Sequence, residues 1–300
     1  MKKIIEIKHL KKYYKNVKAV DDISFDVYEG EVFAFLGPNG AGKTTTLEII
    51  EGLRKKDSGE IIYFDKYTDP SDNYIKQRIG VQLQNSAFFD NLTVYETLKM
   101  FEGLYPKTRE ADEILEIMSL NEKKNSKVKK LSGGQKQRLA IGVALINDPD
   151  ILFLDEPTTG LDPQSRRNIW EIVLNLKKAG KTIVLTTHYM EEAEYLSDRV
   201  YIIDHGKIIA NGSVNELIKS LNKKSIITFE TKTPDLFLDK FREINVTNEK
   251  VEIETNEVEK VLFEILNLTK KSEITVDNLT IRKPNLEDVF LHLTGRSLRD

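Results

Sequence analysis

Residues 37–45 read "GPNGAGKTT", a loop of three glycines, one lysine and two threonines placed after an apolar run and before a helix-forming segment. Those residue types in that context suit phosphate. Gly37, Gly40 and Gly42 let backbone amides turn inward, with Pro38, Asn39, Ala41 and Thr45 completing the loop. Lys43 brings an ammonium to the β and γ phosphates of a nucleotide, and the Thr44 hydroxyl can ligate magnesium. "ILFLDE", residues 151–156, supplies the acids. Four apolar residues make a buried strand that delivers Asp155 and Glu156 to its carboxyl edge. Asp155 suits the magnesium shell, and Glu156 suits a base for water attacking the γ phosphate. Without the loop upstream, paired acids at a strand end read as solvated turn residues.

His188 ends "TIVLTTH" and is expected at the same edge, within reach of the γ phosphate or the attacking water. Gln84 ends "GVQLQ" and opens a segment with Phe88 and Phe89, placed to sense magnesium or water at one end and a partner at the other. Gln82 is its rival, and the two phenylalanines read equally well as core. His9, His205 and His292 have no such context and are expected to be structural.

"LSGGQ", residues 131–135, opens an amphipathic helix with two glycines, each costing about 1 kcal/mol of helix stability against alanine. Ser132 and Gln135 are spaced as a capping box. Gly133 and Gly134 would bare amides at the positive end of the helix dipole, making an anion site. A nucleotide bound at the Gly37 loop already has its phosphates held, so a second such mouth points to phosphate from another subunit, two chains facing head to tail. A glycine-tolerant cap is the alternative.

The elements that must position these groups alternate. "IIEIKHL" and "AVDDISFDV" read as antiparallel strands, and "EVFAFLG" as a buried strand entering the loop. Helical segments are expected over about 85–148, and "DILFLDEP", "TIVLTTH" and "RVYIID" follow as strands separated by helices. This is the pattern of a parallel sheet with both faces covered, its strand ends on one edge. Near residue 222 the texture changes to a βαββαβ order, the signature of a ferredoxin-like domain, with a last helix at "LEDVFLHLTG". Domains are therefore expected over 1–222 and 223–300.

Composition bounds the partners. With 300 residues, 40% apolar and 31% charged, the chain can build two cores. A net charge of -3 gives no global case for nucleic acid, and none is expected as partner. There is no cysteine, hence no disulfide chemistry, and no apolar run approaches the roughly 20 residues that span a bilayer. Work at a membrane would need another polypeptide. The run "KKNSKVKK", residues 123–130, reads as a solvated loop.

Taken together, the loop, "LSGGQ", "ILFLDE", "GLD" at residues 160–162 and "TTH" at His188 resemble, in order and spacing over roughly residues 1–220, the nucleotide-binding subunit of an ABC transporter. The resemblance implies an α/β P-loop cassette with a parallel-sheet core, an antiparallel β subdomain and a helical subdomain. It implies ATP and Mg2+ as ligands, Tyr14 stacking on adenine with Tyr13 the adjacent candidate, Ser132 and Gly134 on the γ phosphate of the opposite subunit's ATP, and Asp162 linking the two sites. It also implies a homodimer or heterodimer on the cytoplasmic face of the membrane, beneath a separately encoded permease. "PNLEDVFLHLTGRSLRD" is similar to the ending of drug-resistance exporter ATPases. Soluble ABC ATPases of translation or DNA repair are the competing class; they resemble chains with two cassettes or with long heptad stretches, and neither is present.

Overall fold

Three apolar pentads or hexads set the centre of the chain: "VFAFL", "ILFLD" and "TIVLTT" are buried at every position. Strands apolar on both faces belong in the middle of a covered parallel sheet, and in a computed structural model describing residues 2–241 and 243–295 they lie side by side there. The first compact unit runs to Val214 and the second begins at Asn215.

In the first unit, β1 (Lys3–Tyr14) and β2 (Val17–Tyr28) form a long hairpin, followed by β3 (Val32–Leu36), α1 (Lys43–Ile50), β4 (Ser58–Tyr63), α2 (Asn73–Lys76) and β5 (Ile79–Gln82). The helical part holds α3 (Val94–Glu102), α4 (Ala111–Ile117) and α5 (Gly133–Ala144), with two short 3₁₀ turns across the basic run 123–130. Then come β6 (Ile151–Asp155), α6 (Pro163–Lys178), β7 (Thr182–Thr187), α7 (Met190–Leu196), β8 (Arg199–Asp204) and β9 (Lys207–Gly212). The main sheet has the order β5-β6-β7-β3-β8-β9, parallel except for β9. β9 is not evident in the sequence, because "KIIANG" has no fully buried position and so lacks the apolar run that marks its neighbours. β2, β1 and β4 make a separate antiparallel sheet.

The two sheets of this unit share a core. Phe25 of β2 stacks on Phe33 at 5.4 Å between ring centres and meets Phe35 edge-on at 5.0 Å, and Tyr201 of β8 lies 4.8 Å from Phe33. Each buried side chain of this size stabilises the fold by about 1.5–3 kcal/mol through area removed from water, so the strands that end at the site stand on a stiff base.

The second unit contains α8 (Val214–Ser220), β10 (Ser225–Glu230), α9 (Asp235–Leu238), β11 (Ile244–Thr247), β12 (Lys250–Thr255), α10 (Val258–Ser272), β13 (Asp277–Arg282) and α11 (Leu286–Thr294). Its antiparallel sheet has the order β11-β12-β10-β13. A βαββαβ chain with that strand order is the ferredoxin-like arrangement. The division falls before residue 222 because the change of texture begins with β10, whereas α8 already belongs to the second unit. α11 opens with a capping box of Asn285 and Asp288; the remainder of the exporter-like ending, residues 296–300, lies outside the described residues. No helix among the described residues is long and apolar enough to cross a membrane.

One buried acid of the first unit titrates far from its usual range. Glu51, just after α1, is 5% exposed, and its Oε1 has no hydrogen-bond partner among the described residues. Burial, with the charges of Asp155 and Glu48 added, pushes its carboxyl up to about 8. Such a group binds more protons folded than unfolded, so its contribution declines as pH rises from its ordinary value of 4.5 towards 8. Glu51→Gln is therefore expected to flatten the fall of Tm between about pH 5 and pH 8, and to melt above the parent chain at the upper end. Thermal melts across that range check it; an unchanged slope shows that Glu51 is solvated.

Candidate active site

Because β5, β6, β7 and β3 are neighbours and parallel, their carboxyl ends form a row. Gln82 pairs with Leu154, Asp155 with Thr186, and Leu36 with Thr187. Beyond β3 the loop 37–45 turns into α1, whose N-cap is Gly42 with φ 105° and no side-chain cap. A Cβ at Gly42 would stand 2.1 Å from the Ala19 carbonyl, and one at Gly37 would stand 2.2 Å from that of Ile203, so both positions need glycine for packing as well as for exposing amides. Uncapped amides at a helix start attract an anion.

Lys43 is buried beneath that loop. Its Nζ donates to the carbonyls of Gly37 at 2.8 Å and Pro38 at 3.1 Å, and lies 3.3 Å from Glu156 Oε1. Burial pulls its pKa down, outweighing the Glu156 and Asp155 carboxylates that pull the other way. Thr44 Oγ1 donates to Asp155 Oδ1 at 3.2 Å, and the same carboxylate oxygen accepts from Thr186 Oγ1. Burial pushes the Asp155 carboxyl up, against those two hydroxyls. Magnesium is a hard cation that takes one or two protein oxygens together with phosphates and water. The Thr44 and Asp155 oxygens fit that donor set, and no group of three acid, histidine or cysteine side chains among the described residues builds an all-protein metal site.

Glu156 adopts φ 47°, in the left-handed region, immediately before Pro157. A non-glycine residue there costs about 1–3 kcal/mol and persists only where its surroundings fix it. Here they do. Its amide donates to Thr186 Oγ1 at 3.0 Å, and its Oε2 accepts from Thr159 Oγ1 at 3.0 Å and from Gln84 Nε2 at 3.3 Å. His188 Nδ1 lies 3.2 Å from the same Oε2. The His188 contact, followed by the Lys43 charge, outweighs burial and holds the Glu156 carboxyl down at about 2. The base candidate is ionised, and in this state its charge is occupied by its neighbours.

The structure thus brings together Lys43, Thr44, Gln84, Asp155, Glu156 and His188. Gln84 stands two positions beyond the end of β5 rather than ending it, and its amide is on Glu156, not on the Thr44 and Asp155 oxygens. Gln82 is buried and donates to the carbonyls of Leu83 and Asp155. Phe89 is 66% exposed, while Phe88 is half-buried and meets Phe101 edge-on. His9 lies against Asp22 at the exposed hairpin.

No hydrogen bond or ion pair among the described residues joins the remaining candidates to this cluster. The Tyr14 hydroxyl accepts from Arg54, whereas that of Tyr13 donates to Asp21; both rings are about equally exposed, at 39% and 38%. Ser132 and Gln135 complete the expected capping box, the serine hydroxyl accepting from the Gln135 amide and the glutamine oxygen from the Ser132 amide. Asp162 caps α6, accepting from the Ser165 amide at 2.9 Å and hydroxyl at 2.6 Å. A Cβ at Gly134 would stand 2.5 Å from that same hydroxyl, so this glycine is required by packing of α5 against α6; one at Gly133 would meet only Leu161, at 3.7 Å. Of the two glycines, Gly133 is the exposed one whose mouth is sterically open.

The site residues that sequence reasoning missed are Thr186 and Thr159. Thr186 bridges Asp155 and the Glu156 amide from near the carboxyl end of a buried strand, and Thr159 holds the Glu156 carboxylate. Both threonines stand beside residues that were singled out, but a strand or turn threonine carries no signal until the neighbouring strand is known.

A family model described as "ABC transporter" matches residues 20–159. The linearmycin resistance ATP-binding protein LnrL of Bacillus subtilis (strain 168) is 38% identical over 99% of this chain and 100% of its own length. The chain belongs to the ABC transporter ATP-binding proteins of the exporter type. The Nod factor export ATP-binding protein I of Burkholderia orbicola (strain AU 1054) is 39% identical over 99% of this chain and 98% of its own. Among solved structures, the ATP-binding cassette MJ0796, dimeric in a post-hydrolysis state bound to ADP and Pi, matches with a TM-score of 0.63 and 28% identity, over 70% of this chain and 98% of that one. This ABC subunit therefore binds and hydrolyses ATP, and dimeric cassettes are its structural neighbours.

Proposed function

We propose that the chain works as one half of an ATP-closed dimer on the cytoplasmic face of a membrane, energising a separately encoded permease that exports its substrate. Each site takes the phosphates of ATP on loop 37–45, with magnesium held by Thr44 and Asp155 and sensed by Gln84. Magnesium, when bound, draws charge from the β and γ phosphates. Phosphate oxygens draw the Lys43 ammonium off Glu156, which raises the basicity of that carboxylate where a water meets it, with His188 beside both. Tyr14 stacks on the adenine. Ser132, Gly133, Gly134 and Gln135 of the opposite chain close over the γ phosphate, with Asp162 near the shared seam. The observation that carries this reading is the contrast between one sheet edge, where Lys43, Thr44, Asp155, Glu156 and Gln84 lie together, and the open Gly133 mouth, which among the described residues has no hydrogen bond to them.

For the permease, the exposed apolar side chains of the segments that follow β5 and α3 support a docking role. Phe89 is 66% and Leu104 70% exposed, against the tendency of such side chains to be buried. Co-expression with a membrane protein of about six apolar spans encoded beside this chain is expected to bring it into the membrane fraction. The Phe89→Asp, Leu104→Asp double variant should stay out of that fraction while binding ATP as before. Equal recovery of the double variant with the membrane would place the permease contact elsewhere; absence of the parent chain from the membrane fraction would remove the transport partner.

A further inference from the structure

Behind the base lies a second carboxyl that the chemistry above does not use. Glu192, in the first turn of α7, is wholly buried. Its Oε1 accepts from Thr158 Oγ1 at 2.8 Å and from Trp170 Nε1 at 3.0 Å. Burial pushes its carboxyl up from the ordinary value. An apolar side chain would fill the contact between α7 and α6 without the cost of burying an acid, so the two bonds need a reason.

The Thr158 bond leads to the site. Thr158 is itself wholly buried, within the turn that runs from Glu156 to Thr159. Thr159 at the end of that turn holds Glu156 Oε2, and the turn's first residue is the one in the left-handed conformation. On its other side, Glu192 belongs to the helix that begins directly after His188 and Tyr189, and His188 faces the same Oε2. We infer that Glu192 is a positioning residue for hydrolysis, tying the Glu156 turn through Thr158 to the helix that directly follows His188, so that base and histidine keep one spacing. It touches no substrate. The Trp170 bond anchors the same carboxyl to α6 and does not reach the turn. This role rests on Glu156 acting as the base.

The two bonds can be cut separately. In the full chain, Thr158→Val removes the link to the turn with little change of shape, and Trp170→Phe removes the link to α6 while keeping an aromatic ring beside Tyr195. Thr158→Val is expected to lower kcat for ATP with magnesium by about tenfold while KM stays within about twofold, because a misplaced base is lost from the transition state and not from nucleotide binding. Trp170→Phe should keep kcat within about twofold. Glu192→Gln, whose amide oxygen still accepts from Thr158, should retain most of kcat, and Glu192→Ala should fall at least as far as Thr158→Val. Should Glu192→Ala fail to fold, the Thr158 and Trp170 pair still decides. Parent-like kcat in Thr158→Val, equal losses in the two variants, or a loss carried by KM would each overturn the role. A parent-like rate in Glu156→Gln would remove the base, and this role with it; an inactive Glu156→Gln beside a fully active Thr158→Val would remove the positioning role alone.

Discussion

Glu156→Gln is expected to bind ATP, to hydrolyse it on the order of a thousandfold more slowly than the parent chain, and to accumulate as an ATP-dependent dimer. The amide keeps the shape and leaves Asp155 with its Thr44 and Thr186 hydroxyls. It cannot accept a proton from water. It also cannot reproduce both faces of the carboxylate, since Oε1 faces the Lys43 ammonium while Oε2 receives Thr159 and Gln84. An oxygen turned to Lys43 puts an NH2 against those two donors; turned the other way, it puts the NH2 against the ammonium. Phosphate binding by the loop survives, because Gly37, Gly42 and Lys43 are untouched.

Slow hydrolysis then leaves two ATP molecules between two chains, each held by one loop and one Gly133 mouth. Adding Ser132→Arg crowds that mouth and breaks the reciprocal cap with Gln135, so the dimer should disappear while ATP stays on each loop. Light scattering of the single and double variants with and without ATP, with nucleotide binding checked separately, decides between outcomes. A monomeric Glu156→Gln with ATP bound sinks the shared site. Turnover at the parent rate sinks the base.

Why so much of this site can be read from sequence follows from where its residues stand. Asp155, His188 and the loop at Gly37 each end a run of apolar residues, and a run buried on both faces belongs to a parallel sheet whose carboxyl ends share an edge. That places the residues on one edge without any knowledge of strand order. The order itself, with β7 between β6 and β3, is a long-range fact. It puts Thr186 between the acidic strand and the phosphate loop, and the local pattern "TTH" does not tell which carboxylate that threonine meets. Thr159 and Glu192 escaped for the same reason, since their meaning lies in which carboxylate or hydroxyl they meet. The signature helix shows the converse. Its capping box was legible from spacing, but the reasons for its two glycines divide only in three dimensions: Gly134 meets Ser165 of α6, and Gly133 meets almost nothing. Gln84 illustrates a boundary effect, because β5 ends at Gln82 and the amide thereby reaches Glu156 from a loop rather than from a strand.

Lys43→Met should lower ATP affinity on the order of a hundredfold, the loss expected when charge-assisted hydrogen bonds to phosphate are removed. Methionine fills the volume and isolates the charge. Lys43→Arg should not restore affinity, because a planar fork cannot occupy a pocket shaped around a compact ammonium bonded to the Gly37 and Pro38 carbonyls. Removing the ammonium also strips Glu156 of the Lys43 charge, which together with the His188 contact holds its carboxyl low, so its pKa should rise. A group whose folded pKa lies below its ordinary value of 4.5 stabilises the fold above that value and loses the contribution as pH falls towards about 2. The variant should therefore lose less stability on acidification through that window than the parent does. Calorimetric titration with ATP at neutral pH, and melts at falling pH, measure the two effects. Parent-like affinity in Lys43→Met would show that loop 37–45 is not the phosphate site. A hundredfold loss of affinity with parent turnover at saturating ATP would confine Lys43 to binding, and the release of Glu156 by phosphate would then play no part in hydrolysis.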